Sequence, residues 1–442
     1  MKMWIASLAI LLFALPVVGA DYYVSTEGND DTGNGSIDNP WRTPAYGASQ
    51  LTSAGDTLYI RAGTYNVTGA TWNTSTIYPR ANGTSAARIT IRNYPGETVT
   101  LDGGSAPTNG IIGIGGYDYI TIKGLIIKGQ VKLMYGDHAI LEDCDVSVGG
   151  DSYTRDTGFG DVIFLAETTG SIIRNCRIHD NTVQREDRLN SPLIMEYSTT
   201  DLTIEYCDIY NSVGCGIRFK DNPENVTVRY CHIYGNYYSG IAGPSQSQGY
   251  DMYVYQNVIR GNNTNSGDEH YPEHGGVRIN VYIDRSYIYN NSFYDNGFSD
   301  LTVINTTGVD NINFFNNISY LPNTRHIALQ YTVTPAVLDY SDYNCFYNDQ
   351  DYESQNSLIT SLTAWRTTTS LDANSVTSDP GFLNTSGNWN LPTDFKRSTY
   401  PVNGRGGQYS FIMGAYITGN EIIGYTPSGT ATIRASGTAG WR

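Results

Sequence analysis

Apolar and polar residues alternate with a period of two in short runs along most of the chain. Clear examples are ILEDCDV at 140–146, LTIEYCDI at 202–209 and VTVRYCHI at 226–233. Successive side chains on a strand point to opposite faces, so this alternation predicts short β-strands with one buried face. The units that contain these runs show no helical period, which favours an all-β architecture.

The strand pattern also repeats about every 24 to 34 residues, with one fixed slot in each unit. The slot is filled in turn by Cys144, Cys176, Cys207, Cys231, Asn257, Asn291, Asn317 and Cys345. A period of this length predicts a solenoid. Coils of two or three strands would stack about 4.8 Å apart and place the slot residues in an internal column. We expect buried thiols in this column rather than disulfides, with Cys215 outside it.

Composition and charge narrow the classes of function. The 442 residues are 40% hydrophobic and 12% aromatic, which excludes a wholly disordered chain. The formal net charge is −16, so generic nucleic-acid binding is not expected, because it requires a positive field. An acidic protein that handles an acidic polymer needs a locally basic cleft or bound cations.

The first 20 residues have the pattern of a secretory signal peptide. Lys2 precedes a short apolar run, and the segment ends in small residues at 18–20. We therefore expect a cleaved signal, a secreted or cell-surface protein and no membrane span after cleavage; an uncleaved anchor is the alternative. The expected organisation is a signal at 1–20, a solenoid domain of β-strands with an N-terminal cap and a C-terminal segment at 21–420, and a flexible tail at 421–442. We expect a monomer.

Alignment of the coils on the Cys/Asn column brings four charged residues together on one outer face. Arg218 and Lys220 point the same way, because they are two residues apart on a strand. The alignment puts Glu196 one rung from Lys220, and Arg278 two rungs, about 10 Å, from Arg218. Arginine suits the carboxylate of a uronate, and a like-charged neighbour favours the neutral amine that a general base needs. A structural ladder of salt bridges is the alternative interpretation.

Three segments resemble the right-handed parallel β-helix proteins of the pectate-lyase-like class. They are the entry DYYVSTEGND… at 21–65, the coils at about 95–349 and the segment SDPGFLNTSG… at 378–416. The resemblance implies an all-β, single-stranded right-handed parallel β-helix with loop insertions on one face. It implies less about activity, because the class includes lyases, hydrolases, epimerases and non-enzymatic surface proteins.

The segment GIRFKDNPENVTVRYCHIYGN at 216–236 resembles the catalytic-lysine coil of β-helix alginate and chondroitin lyases. The resemblance implies that Lys220 is the base. The arginine of that family lies one coil later, where this sequence has 242–244, so Arg278 is a displaced candidate one coil further on. Acidic residues of the preceding coil bind calcium in that family. Only Glu196 matches those residues, so the resemblance gives calcium as a candidate cofactor and Glu196 as its candidate ligand.

Long insertions before strands of this face predict a binding wall. They lie at 149–161, 182–190 and 262–276. His270 and His274 of the last insertion are candidate proton donors. The substrate-binding candidates are Glu196, Arg188, Tyr238 and Tyr271.

Four functions compete at this level. The favoured one is a secreted lyase that cleaves a uronic-acid polysaccharide by β-elimination, with an acidic polysaccharide as partner and no nucleic acid. A C5-epimerase would use similar chemistry. A hydrolase needs two carboxylates about 5–9 Å apart, for which Asp161 and Glu196 are the nearest pair. A non-catalytic solenoid that binds glycans through its flat strand face is the remaining alternative.

Overall fold

The structure is a computed structural model. It describes residues 19–67, 75–104, 110–148, 161–181, 192–244, 249–263, 273–280, 283–304 and 309–379, together with the backbone of four short strands beyond residue 400.

Three long sheets run side by side, and each coil passes from the first sheet to the second and then to the third. The first sheet contains β1 Asp21–Val24, β2 Thr57–Ile60, β5 Ile89–Asn93, β8 Ile120–Lys123, β11 Ile140–Glu142, β14 Ile172–Arg174, β17 Thr203–Glu205, β20 Glu224–Arg229, β23 Gly249–Tyr255, β26 Ile283–Tyr289, β29 Asp310–Phe315 and β32 Leu338–Asp342. The second contains β3 Gly63–Asn66, β6 Val99–Asp102, β9 Ile126–Lys128, β12 Asp145–Val148, β15 Arg177–Asn181, β18 Asp208–Ser212, β21 His232–Tyr234, β24 Val258–Arg260, β27 Ser292–Tyr294, β30 Ile318–Tyr320 and β33 Cys345–Tyr347. The third contains β4 Ser75–Ile77, β7 Gly110–Gly113, β10 Gln130–Met134, β13 Ile163–Ala166, β16 Ile194–Tyr197, β19 Ile217–Phe219, β22 Ile241–Ala242, β25 Val277–Ile279, β28 Ser299–Val303, β31 Arg325–Leu329, β34 Asp351–Ser354 and β35 Ser357–Ile359.

Neighbouring strands of these sheets are parallel, except for the terminal β34–β35 pair. The predicted all-β parallel β-helix is therefore confirmed, with three strands in a coil. Inward positions such as Ile217 and Phe219 are fully buried and join one continuous apolar core. Burial of apolar surface along the whole axis is what stabilises stacked coils that could not bury it singly.

The Cys/Asn column is confirmed inside the coils. The side-chain amide of Asn257 donates to Asn291 Oδ1, Asn291 donates to Asn317, and Asn317 donates to Asn344. The prediction of Cys345 in this column was wrong by one residue, because Asn344 occupies the slot and Cys345 pairs with Ile318 on β30. None of the six cysteines forms a disulfide, and all are buried.

A tight turn with a left-handed backbone precedes each slot. The turn residues all have φ between 53° and 56°, and they are Asp143, Asn175, Tyr206, Tyr230, Gln256, Asn290, Asn316 and Tyr343. This conformation redirects the chain from the first sheet to the second. Among residues other than glycine, Asn and Asp adopt it at the lowest cost, whereas the tyrosines are held in it by the surrounding repeat.

Outward-facing tyrosines stack along the axis between rungs. Ring centroids lie 4.9 Å apart for Tyr255 and Tyr289 and 4.5 Å apart for Tyr320 and Tyr347, with the planes almost parallel. The faces of these rings cover one another, so the stacks stabilise the coils.

Two short helices lie at the ends of the solenoid. Helix α1, Pro44–Ser49, follows β1, and Thr43 caps its N-terminus. Helix α2, Leu362–Thr369, follows β35, and a 3₁₀ turn spans Pro335–Val337. Two hairpins follow, of β36 Pro401–Asn403 with β37 Ser410–Ile412 and of β38 Glu421–Gly424 with β39 Thr432–Ala435. Within the described part of the chain, no helix has the length and apolar character needed to cross a membrane.

Candidate functional site

The outer face of the third sheet carries the basic residues predicted from the sequence. Arg218 pairs in register with Ala242, and Ala242 pairs with Arg278. The prediction that the two arginines lie two rungs apart on one face is therefore confirmed. Both side chains are buried, with 8% and 6% of their surface exposed. Lys220 follows β19 directly and is 8% exposed.

Glu196 does not lie on this face, which corrects the predicted register. It pairs with Phe219, not with Lys220, and it points into the coil with none of its surface exposed. The cause is the following turn, because Ile204 comes eight residues after Glu196 whereas Val228 comes nine residues after Phe219. One extra residue moves a side chain to the opposite face of a strand.

Arg278 is incompletely paired within the part of this face that the structure describes. Its nearest carboxylate is that of Glu273, with 3.9 Å between Nη2 and Oε1. No hydrogen-bond partner within the described residues reaches Arg278 Nε or Glu273 Oε2. The Tyr331 hydroxyl donates to Glu273 Oε1 at 3.4 Å. Burial lowers the pKa of Arg278 and outweighs the opposing effect of Glu273.

His274 lies beside the two arginines and is fully buried. Its Nδ1 is 2.8 Å from Ser239 Oγ, and its ring centroid is 4.6 Å from that of Tyr238. Burial, followed by the positive charges of Arg278 and Arg218, lowers the pKa of His274 well below its usual range. The imidazole is therefore neutral near pH 7. The Tyr238 ring is buried against it, and its predicted contact with substrate stays a prediction.

Lys220 forms a second group with Tyr197 and Asp221. Its Nζ lies 5.6 Å from the centre of the Tyr197 ring, within the range of a cation–π contact. The Tyr197 hydroxyl is hydrogen-bonded to the Asp221 carboxylate, which raises the pKa of Tyr197. Only its outward position on a strand could have indicated Tyr197 as a site residue from the sequence.

Lys132 extends the basic face toward the N-terminal coils. It pairs in register with Phe164, which pairs with Met195, which pairs with Arg218. A cavity of about 140 Å³ opens beside it. The lining residues are Ser75, Tyr78, Gly115, Gly116, Lys132, Met134 and Tyr135. Lys132 was not among the predicted site residues, although its place in a period-2 strand could have indicated it.

Comparisons with known proteins agree with this architecture. The family model described as the Pel9A-like right-handed β-helix region matches residues 22–191. The crystal structure of pectate lyase Pel9A superposes with a TM-score of 0.55 at 16% identity, over 90% of this chain and 96% of that chain. This chain has the pectate-lyase-like right-handed parallel β-helix fold.

Other proteins match over a smaller share of their length. A rhamnogalacturonan lyase has a TM-score of 0.50 at 15% identity, over 70% of this chain and 84% of that chain. Pectate lyase PEL9 of Emericella nidulans is 41% identical over 91 residues, which are 21% of this chain and 20% of that protein. YwoF of Bacillus subtilis is 40% identical over 86 residues, which are 19% of this chain and 16% of that protein. The matched segments thus span about a fifth or less of these two relatives.

The Glu196 carboxylate does not fit the predicted role of a calcium ligand. Both of its oxygens accept hydrogen bonds inside the coil, from Thr199 and from the Lys220 backbone. Burial raises the pKa of Glu196 to about 8, opposed by these hydrogen bonds. Within the described part of the chain, no cluster of three or more His, Cys, Asp or Glu residues could hold a metal ion.

The inward direction of Glu196 also removes one partner of the predicted hydrolase pair. The other, Asp161, is buried and accepts a hydrogen bond from Gln130 Nε2 at 2.8 Å. The candidates His270, Arg188 and Tyr271 lie outside the described residues, so their roles stay predictions.

Proposed function

We propose that this protein is a secreted polysaccharide lyase that cleaves a uronic-acid polymer by β-elimination. The observation that carries the proposal is Arg278, a buried cation on the outer face whose Nε lacks a hydrogen-bond partner among the described residues. Its nearest carboxylate is 3.9 Å away. A buried charge is costly unless it is paired, and a planar guanidinium matches a carboxylate, so the site favours an anionic ligand.

The reaction can be assigned to residues of this face. The neutral amine of Lys220 removes the C5 proton of the uronate, and the electron pair forms the C4–C5 double bond as the C4–oxygen bond breaks. Arg218 and Arg278 hold the carboxylate and stabilise the negative charge that develops on it. The names of two structural neighbours, pectate lyase Pel9A and rhamnogalacturonan lyase, support lyase chemistry.

The leaving oxygen must gain a proton. His274 is neutral because burial and the two arginines lower its pKa, which favours a hydrogen-bonding role over proton delivery. Tyr197, whose ring faces the Lys220 amine, and His270 are the alternatives that we propose for this step.

Incubation with polygalacturonate, rhamnogalacturonan, alginate and chondroitin tests the proposal. We expect an ultraviolet-absorbing unsaturated product from at least one polymer, and a loss of about 10²–10⁴-fold in kcat for Lys220→Ala. Lys123→Ala is the matched control, because Lys123 lies on the first sheet in an ion pair with Glu142. Assays with and without EDTA and added calcium test the expected cofactor.

Two outcomes would contradict a lyase, and a third would contradict the assignment of its base. Inverted uronate units without an absorbing product would indicate an epimerase. Retention on a glycan column without turnover, unchanged by Lys220→Ala, would indicate a binding protein. Full activity of Lys220→Ala would remove Lys220 from the role of base.

A further inference from the structure

Glu196 places a carboxyl group in an interior column whose adjacent described rungs hold apolar side chains. Glu196 pairs with Leu165 on one side and Phe219 on the other, and Leu133 precedes them in the same column. All four are fully buried. A carboxyl group at such a position costs free energy unless hydrogen-bond partners satisfy it, and departures of this kind from a repeat are expected at functional sites.

The Glu196 carboxylate joins the backbones of two successive turns. Its Oε1 accepts from the Thr199 N–H at 2.7 Å and from the Thr199 hydroxyl at 3.0 Å. Its Oε2 accepts from the Lys220 N–H at 3.3 Å. The same N–H also reaches the Glu196 main-chain carbonyl at 3.1 Å. The Lys220 main chain is therefore held from inside the coil by both ends of one residue.

The turn that follows Lys220 needs such an anchor. It is one residue longer than the turn that follows Glu196, and it includes Asn222 with φ of +44°. Strand β19 ends at Phe219, so Lys220 lies just beyond the regular ladder. A general base on a longer turn loses precision unless the first residue of the turn is fixed.

We propose that Glu196 is a positioning residue that fixes the Lys220 main chain from inside the solenoid, so that the lysine amine reaches the substrate in one geometry. The inference rests on the proposed function, because it takes Lys220 as the base. Glu196 points inward and Lys220 leads to the outer face, so Glu196 acts through the backbone and does not touch substrate.

Glu196→Gln tests this role with polygalacturonate, or with whichever of the four polymers is cleaved. The amide keeps the shape but places a donor group opposite the Lys220 N–H. We expect kcat to fall about 10- to 100-fold while KM changes less than about two-fold. Thr199→Ala removes one donor to the same carboxylate and should lower kcat by a smaller factor. Glu205→Gln is the matched control, because Glu205 pairs with Arg229 on the first sheet, and its kcat should be unchanged.

The double variant Glu196→Gln/Lys220→Ala separates positioning from general damage. We expect it to be no less active than Lys220→Ala, because Glu196 acts only through Lys220. A further loss in the double variant, or a folded Glu196→Gln with parental kcat, would overturn the inference. If Glu196→Gln does not fold, parental kcat in folded Thr199→Ala overturns it. Activity of Lys220→Ala equal to the parent would refute the assignment of the base instead.

Discussion

Ala242 is the small residue between two arginines on the outer face of the third sheet. It pairs with Arg218 on one side and Arg278 on the other. The rung between the two arginines therefore contributes no carboxylate side chain to this position. An anion above Ala242 would be attracted by both charges, which are about 10 Å apart along the axis.

Arg278→Lys tests whether the guanidinium geometry matters. Lysine keeps the positive charge but cannot present two parallel N–H donors, so kcat/KM on the cleaved polymer should fall about tenfold or more. Arg285→Lys is the control, because Arg285 pairs with Asp251 on the first sheet. Equal kcat/KM values for Arg278→Lys and the parent would show that only charge is needed.

Single residues also mark where sequence reasoning stopped being accurate. Alternation predicted that Arg218 and Lys220 share a face, since a strand fixes that relation locally. It misplaced Glu196, because that register depends on how many residues a turn contains. It also misplaced Cys345, because Asn344 directly before it fills the slot that Cys and Asn share. Turn length does not appear in a period of two, and a slip of one residue reverses inside and outside.

An ion-pair ladder crosses the strands of the first sheet. Glu142 on β11 accepts from Lys123 on β8 at 2.9 Å and from Arg174 Nε on β14 at 2.7 Å. Burial alone would raise the pKa of Glu142, but Lys123 and Arg174 outweigh it and lower that pKa below 4.5. The ladder thus joins three consecutive coils by ion pairs, in addition to the backbone hydrogen bonds between their strands.

Glu142→Gln should lower the free energy of unfolding by about 1–3 kcal/mol at pH 7. A carboxyl with a lowered folded-state pKa stabilises the fold above the unfolded value of 4.5, and this contribution is lost as pH falls through the folded value. The difference from the parent should therefore shrink in acid, as measured by urea unfolding across pH. Asp143→Asn, at the more exposed partner of Lys123, should change stability by less than about 1 kcal/mol. A difference independent of pH would contradict the ion-pair explanation.

The asparagine ladder is a second inter-coil element. Asn291 donates to Val254 O and Asn317 Oδ1, and its own oxygen accepts from Asn257. Asn291→Ala should destabilise the protein by about 2–4 kcal/mol, because several buried donors and acceptors lose partners at once. The exposed Asn323→Ala should stay within about 0.5 kcal/mol of the parent. Similar midpoints of thermal unfolding for both variants would refute this role of the ladder.

The basic residues of the third sheet lie in a line along the axis of the solenoid. Lys132 is three rungs, about 14 Å, from Arg218. A polymer that carries a carboxylate on successive units could contact both positions when it lies parallel to the axis. The cavity beside Lys132 would then receive a unit remote from the cleaved bond.

Lys132→Ala should affect long substrates more than short ones. We expect KM for polygalacturonate to rise about three- to tenfold, while KM for a trimer changes less than twofold, because a trimer does not reach three rungs. Kinetics on oligomers of increasing length would show the length at which Lys132→Ala begins to raise KM. Equal effects on all lengths would indicate that the chain does not follow the axis.

The global fold was predictable from the sequence, whereas the burial of the arginines on the outer face of the third sheet was not. The slot from Cys144 to Asn317 repeats through most coils, and a repeated period determines a solenoid before any contact is known. By contrast, Arg218 and Arg278 were expected on an outer wall and are nearly as buried as core residues. Burial of that kind depends on the fold around each coil, which no local pattern encodes.

The reduced thiols inside the solenoid have a practical consequence. All six sulfhydryls are withdrawn from water, and none is cross-linked. An alkylating dye would react with them at the rate at which coils open, since buried thiols are inert. The native chain thus carries its own reporters, which extend from Cys144 to Cys345. Mass spectrometry of labelled peptides would reveal which end of this region unwinds first.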